Sequence, residues 1–293
     1  MYPEENRIAK TGRRLIDESD PLAGYYSGKA MVRRREVLRE TLEAFADPND
    51  HERYRQLAFR NLEKWRLERI LPERKVQVIG GDWGEVTLML TRKHGECFAV
   101  LNMANAYIPG GGYVEGMSAQ EENMYRRTDC HFYINDREYD RKRDTYLPEM
   151  TQIISGKPGR VYLDHEHPRI CIRGREDHTD KRLGYAWLPS DEIFPFYELR
   201  AAAQDLRSGE AFDVTEARKR IAAQLDTLHE HGVRYAVLGA FGCGAFMNPP
   251  EIVAQIYREE IGKRIKDLDL VAFAIYDTGN GRGNFLPFKE ILG

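Results

Sequence analysis

Apolar positions fall into two regimes along the chain. Over the first 72 residues they recur every three or four positions, which predicts helices at 7–16, 31–45 and 53–71. The second carries Val32, Val37, Leu38, Leu42 and Phe45 on one side; the third carries Tyr54, Leu57, Ala58, Leu62, Trp65, Leu67 and Ile70 among many charges. Asp47-Pro48-Asn49-Asp50 breaks the pattern with turn chemistry, and Pro72 ends it. From residue 75 onward short apolar runs take over. Strands are expected at 75–79, 87–90, 97–101, 169–173, 235–238 and 270–276. Helical spacing returns at 123–127, at 214–232 (Ala217, Ile221, Ala222, Leu225, Leu228, with Gly232 as the C′ cap) and at 251–261. Strands alternating with helices predict an α/β fold with a mixed sheet. Residues 1–72 read as a helical layer packed on the core and 73–293 as the core domain. Within that core, 131–165 stands out. Asn135 to Asp144 are mostly charged and Ser155-Gly-Lys-Pro-Gly159 is a turn, so this stretch reads as a charged insertion, a solvated surface excursion or else a lid or a partner-binding surface.

Two glycine-rich stretches each follow a strand and open a helix. In the first, Gly110, Gly111 and Gly112 precede Gln120, Glu121 and Glu122. Three glycines are expected to leave backbone amides open and allow close approach, an arrangement that receives an anion such as a diphosphate. Adjacent residues on a helix point about 100° apart. One glutamate would then orient a ligand while the other does chemistry. In the second stretch, Gly239 to Pro250, the residues Gly242, Cys243, Gly244, Ala245 and Phe246 form the loop, with Asn248 as the expected N-cap. Cys243 has no base signature around it and reads as a small loop residue.

Composition narrows the classes. Hydrophobic residues make up 42% and aromatics 11%, enough for a sizeable core, and a formal charge of −3 provides no basic field for sequence-specific nucleic acid binding. Cys97, Cys130, Cys171 and Cys243 are widely spaced without a Cys-x-x-Cys, which suits reduced thiols. His165 and His167 alternate as strand ligands could, but have no further ligand at metal-binding spacing. No apolar run approaches ~18 residues and the N-terminus is charged from Glu4, so the expectation is no membrane partner and a cytoplasmic location, or delivery into a host cytosol. The run Arg33-Arg34-Arg35 reads as a solvated helix face.

Gly-Gly-Gly, the spacer Tyr113 to Ala119, and Gln120-Glu121-Glu122 together resemble the signature of the bacterial, microbial-type poly(ADP-ribose) glycohydrolases, a macrodomain family. Asn102 and Asn105 resemble the macrodomain ribose-binding loop, with Met103 where the family often has Phe. Gly239-Ala-Phe-Gly242-Cys243-Gly244 resembles the family's diphosphate loop, and residues 197–203 a macrodomain segment. The likeness spans about 75–290, with a weaker echo at 7–25. It implies a macrodomain-like three-layer sandwich with a mixed central sheet and an N-terminal helical extension. It further implies glycosidic cleavage of poly(ADP-ribose) or of ADP-ribosylated targets without metal or cofactor. Glu122 would be the acid/base, Glu121 and Asn105 ribose contacts, Gly111, Gly112 and 242–246 the diphosphate cradle, Phe246 a neighbour of the scissile ribose, and Tyr276, with Phe285 behind it, an adenine stack. The residues themselves leave open a hydrolase of single ADP-ribose groups on side chains or bases, a non-catalytic ADP-ribose reader, and a nucleotide-binding scaffold whose helical layer serves a partner.

Overall fold

The computed structural model describes residues 12–16, 27–276 and 283–293. The elements in order are α1 (Lys29–Ala46), α2 (Pro48–Leu67), β1 (Val76–Gly80), α3 (Trp83–His94), β2 (Ala99–Met103), α4 (Gln120–Arg127), β3 (Tyr139–Asp140), β4 (Thr145–Tyr146), α5 (Pro148–Ile154), β5 (Tyr162–Cys171), β6 (Phe194–Ala201), α6 (Val214–Glu230), β7 (Tyr235–Leu238), α7 (Pro250–Arg264), β8 (Leu270–Ile275) and α8 (Phe285–Leu292). Six strands form one sheet in the order β1-β8-β7-β2-β6-β5. The pairs β1/β8, β7/β8, β2/β7 and β2/β6 are parallel, with Val78 opposite Phe273 and Leu101 opposite Leu199. All six residues of β8 are buried, as a parallel strand covered on both faces must be. This is the expected α/β architecture with a mostly parallel sheet.

The chain gathers into two compact units. One comprises Met1–Asn61, Tyr107–Met150 and Arg169–Pro195; the other comprises Leu62–Ala106, Thr151–Pro168 and Phe196–Gly293. In the second unit, α6, α7 and α8 pack in series, α8 meets β1, and α3 packs on β7 and β8. Its apolar core joins Val271, Phe273 and Ile275 of β8 to Ile221, Leu225 and Leu228 of α6 and to Val253, Tyr257 and Ile261 of α7. In the first unit α1 packs on α4, and a small core gathers Phe45, Ala58, Ile170, Ile172 and Ile193. Residues of α1 and α2 share a core with residues beyond 107.

Several local expectations are corrected. Residues 87–90 are not a strand but the middle of α3. The Asp82 carboxylate caps that helix by accepting from the amides of Gly84 and Glu85, and Gly95 ends it in the left-handed conformation at φ 63°. Its buried side chains Trp83, Val86, Thr87, Leu90, Thr91 and His94 repeat at helical spacing across a window wider than the four residues read as alternating. The expected break falls at Asp47, the extended C-cap of α1; Pro48 already opens α2, which stops at Leu67, before Pro72. Residues 12–16 are irregular, not helical; residues 7–11, the echo at 7–9 and 24–25, and the loop at 277–282 lie outside the described residues. The 131–165 stretch is not a single excursion. It holds a short 3-10 turn at Cys130–Tyr133, the β3/β4 hairpin, α5 and the first residues of β5, with His131, Ile134 and Ile154 fully buried. His165 packs its ring on His231 at 4.6 Å, and His167 Nδ1 lies 3.2 Å from Asp164. No helix among the described residues is long and apolar enough to cross a membrane.

An acid-sensitive tie sits in the second unit. Burial opposes ionisation of Glu260, but hydrogen bonds from Lys263, Arg264 and Arg218 outweigh it and hold the carboxyl down to about 2. Its folded value lies below the ordinary 4.5, so the carboxylate stabilises the fold above pH 4.5 and that contribution fades as pH falls toward 2. Glu260→Gln is therefore expected to be less stable than wild type at neutral pH and to lose less further stability on acidification. Urea unfolding at neutral pH and within that acid window measures both.

Candidate active site

The chain leaves β2 at Met103 and enters α4 at Gln120, so the two glutamates occupy the first turn of a helix, where the macrodipole favours negative charge. Their carboxylates turn back onto the glycines. The Gly110 amide donates to Glu121 Oε1 at 3.1 Å and the Gly112 amide to Glu122 Oε1 at 2.9 Å. The amide between them, that of Gly111, donates to the Ile108 carbonyl. Gly110 and Gly111 take φ values of 73° and 56°. A Cβ on Gly111 would collide with Glu122 Oε1 and press on Glu121, so no other residue serves there. The expected open nest of amides is thus absent from this loop. The left-handed turn aims two amides at the loop's own glutamates and spends the third on a turn. Glu121 is buried and Glu122 half-buried. Glu122 Oε2 is buried with no hydrogen-bond partner among the described residues, so one oxygen of this carboxylate is held and the other is uncommitted.

Further groups fasten the loop that were not legible as site residues. The Arg13 guanidinium donates to the Gly111 carbonyl, to Glu115 Oε1 at 3.0 Å and to Asp144 Oδ1 at 2.9 Å. Burial works against its charge, but the hydrogen bond to Asp144 and the charges of Glu115 and Asp144 prevail and raise its pKa. Tyr113 is fully buried, stacks on Tyr125 at 4.6 Å, and places its hydroxyl 2.7 Å from His131 Nδ1. Burial pushes the Tyr113 pKa up, so the hydroxyl keeps its proton. Arg34 is not on a solvated face. It is buried, pairs with Glu176 at 2.7 Å and donates to the Gly116 carbonyl, while Arg35 donates to the Glu115 carbonyl.

The second loop runs from β7 to α7 in the other unit. Gly242 has φ 73°, and a Cβ there would strike Ala203 and Asn248. Asn248 is not the N-cap; Pro249 takes that position and Pro250 opens the helix. The Asn248 side chain is buried and donates to the carbonyls of Gln204 at 2.6 Å and Phe246 at 3.1 Å, while its amide donates to Gly242. It braces the loop from inside. Cys243 donates its amide to Ala240. Among the described residues, no acceptor faces the amides of Gly242, Gly244, Ala245 and Phe246. The open anion nest expected of both loops belongs to this one. Phe246 is half-buried, with the Arg207 guanidinium 5.0 Å from its ring centre.

The remaining candidates are dispersed. Asn102 is fully buried on β2, where its Nδ2 donates to Glu198, itself paired with Arg200 at 2.8 Å. Its Oδ1 is buried without a hydrogen-bond partner among the described residues. Asn105 and Gln120 are half-buried, and Tyr276 is exposed at the end of β8. The structure brings Gly110, Gly111 and Gly112 together with Glu121 and Glu122, and separately groups 242–246 with Asn248.

Two substitutions test this geometry. Gly111→Ala is expected to cost ~2 kcal/mol or more from the left-handed backbone and the collision with Glu122, measured by denaturant unfolding. Burial, aided by the charge of Glu251, pushes the Cys243 thiol pKa up. The thiolate is then scarcer at neutral pH than for an ordinary cysteine. Cys243 is expected to resist iodoacetamide in the native protein and to react on unfolding, as peptide mass spectrometry would record.

The family model for the catalytic domain of microbial-type PARG matches residues 34–154. No curated protein sequence matches the chain. Among solved structures, poly(ADP-ribose) glycohydrolase from Thermomonospora curvata is 22% identical, with 88% of this chain and 99% of that one covered and a TM-score of 0.60. The same enzyme bound to the inhibitor ADP-HPD gives 22%, 88%, 98% and 0.59. The Deinococcus radiodurans enzyme in complex with ADP-ribose gives 22%, 82%, 90% and 0.54. Identity at this level speaks to the fold, and the family match adds the segment that carries both glutamates. Residues 34–154 thus match the family model of the microbial-type PARG catalytic domain, and the chain shares the fold of the bacterial poly(ADP-ribose) glycohydrolases.

Proposed function

We propose that this protein is a glycosidase that hydrolyses the ribose glycosidic bond of poly(ADP-ribose) and releases ADP-ribose, with Glu122 as its acid/base. The observation that carries the assignment is the divided environment of the Glu122 carboxylate, with Oε1 held by the Gly112 amide and Oε2 buried without a partner. Glycosidic cleavage passes through an oxocarbenium-like transition state and needs a carboxyl group that protonates the leaving oxygen and then activates water. A group doing this must keep one oxygen fixed and offer the other to the reacting atoms. Glu122 Oε2 transfers its proton to the leaving oxygen and afterwards draws one from water attacking the anomeric carbon. Glu121, both buried and tied to Gly110, hydrogen-bonds the ribose beside that bond. The uncommitted amides of Gly242, Gly244, Ala245 and Phe246 suit phosphate oxygens, and Asn105 a ribose hydroxyl. Cys243, kept as a thiol, takes no nucleophilic part. Tyr276, exposed at its strand end, offers a ring face to adenine.

The test is release of free ADP-ribose by wild type and Glu122→Gln, from poly(ADP-ribose) and from proteins carrying single ADP-ribose groups on acidic, serine or arginine side chains. Wild type is expected to release ADP-ribose from the polymer, and the variant to lose ~10²–10⁴-fold in kcat while still binding ADP-ribose. Full turnover by Glu122→Gln would overturn the assignment of the acid/base. Release from single-group substrates alone would make the enzyme a mono-ADP-ribosyl hydrolase, and binding without release a reader.

A further inference from the structure

We propose that Arg13 is a positioning residue for Glu122, acting through one peptide group of the glycine loop. The carbonyl of Gly111 and the amide of Gly112 belong to the same planar unit. Arg13 donates to that carbonyl, and that amide donates to Glu122 Oε1 at 2.9 Å. The guanidinium therefore grips one end of a peptide whose other end grips the carboxylate. Flanked by glycines, this peptide has little steric resistance to turning over. A flip would replace the amide facing Glu122 with a carbonyl and set two acceptors against each other. Arg13 opposes the flip directly, because it would lose its acceptor. A cation on the carbonyl also polarises the peptide and strengthens the amide as a donor.

The surroundings of Arg13 fit this work. Its side chain is 4% exposed and is itself fixed from two sides, by Glu115 at 3.0 Å and by Asp144 at 2.5 Å. Asp144 in turn accepts from the Tyr139 hydroxyl. The Arg13 amide also donates to the Tyr113 hydroxyl at 3.4 Å, and the Tyr113 ring lies where a Cβ on Gly110 would be. A guanidinium needed only to tether the chain end could have done so at the surface. Here it is buried against the one carbonyl whose orientation sets the Glu122 hydrogen bond. The residue lies before residue 34, outside the segment matched to the family's catalytic domain.

The consequence for turnover rests on the reading of Glu122 as the acid/base, so the experiment has one readout that does not. In protein labelled with 15N-glycine, the Gly112 amide is assigned by its response to Glu122→Gln. Its resonance is expected to move in Arg13→Ala and Arg13→Lys in the direction seen for Glu122→Gln. In turnover of poly(ADP-ribose), Arg13→Ala is expected to lose ~10²-fold in kcat, the scale of a small misplacement of a catalytic group. KM should stay within about twofold, and millimolar guanidinium should restore part of the rate. Arg13→Lys, which keeps the charge without the planar fork, should fall in between. Arg14→Ala serves as the control with wild-type kcat. Circular dichroism and the melting temperature establish that each variant is folded at the assay temperature; should Arg13→Ala fail this, Arg13→Lys carries the test. A folded Arg13 variant with wild-type kcat and an unmoved Gly112 amide would overturn the proposal. If wild type released nothing from the polymer, the functional reading would fail, while the amide shift would still decide the role of Arg13.

Discussion

Two adjacent carboxylates in one helical turn, one of them buried, need donors of their own to hold their places. The first unit meets this constraint with backbone amides. Gly110 and Gly112 each donate to a different glutamate, and Gly111 has no side chain that could stand in the way. The helix end adds its own positive potential. Each neighbouring feature serves this contact. Tyr113 packs beneath Gly110, Arg13 takes the Gly111 carbonyl, and Arg34 and Arg35 take the carbonyls of Gly116 and Glu115. If the loop turned otherwise, buried Glu121 and half-buried Glu122 would lose these donors.

The two glycine-rich loops look alike in sequence and do opposite work. In the first, the amides are consumed internally, so the loop is a holder of side chains. In the second, Asn248 and the Gly242 carbonyl close the turn from within, and the amides of Gly242, Gly244, Ala245 and Phe246 have no acceptor among the described residues. In the first, the carboxylates of Glu121 and Glu122, the second and third residues of α4, turn back onto the loop. Gly112 finds Glu122 within reach, whereas 242–246 is followed by Asn248, a short side chain that turns inward. Glycine content by itself reports conformational freedom and says nothing about where the amides are spent.

That distinction also explains which features were legible. Helices α1, α6 and α7, the strands β1, β7 and β8, and the strand–loop–helix order around both glycine stretches follow from local periodicity and hold. The misread pieces depend on partners distant in the chain. Thr87 to Leu90 alternates over four residues, but Asp82 and Gly95 cap a longer helix around it. Arg34 looked solvated because its partner, Glu176, lies far along the chain. Arg13 carried no signal at all. A single arginine in a stretch with helical spacing gives no indication of a carbonyl and two carboxylates 98 to 131 residues away.

The two units also differ in what holds them. The second has an extended apolar core built on β8, α6 and α7. In the first, buried apolar residues such as Val37, Leu38, Leu42, Met124 and Ile134 are joined by Arg126, Arg127, Arg169 and Arg173, which are among the largest fully buried side chains. Arg169 lies over the Tyr133 ring at 3.7 Å and Arg173 over Trp187 at 3.5 Å, while Arg173 pairs with Glu40 at 2.7 Å. Arg127 donates to the Arg173 carbonyl and to Asn123 of its own helix, and Arg126 to the Tyr185 hydroxyl. Apolar contact is non-directional and tolerates small rotations of a helix. Guanidinium hydrogen bonds fix direction as well as distance. Helix α4 carries the glutamates at its first turn and these arginines at its last. Arg127, holding the Arg173 carbonyl at the last turn, and Arg13, holding the Gly111 carbonyl before the first, tie down both ends of the segment that sets Glu122 against the Gly112 amide.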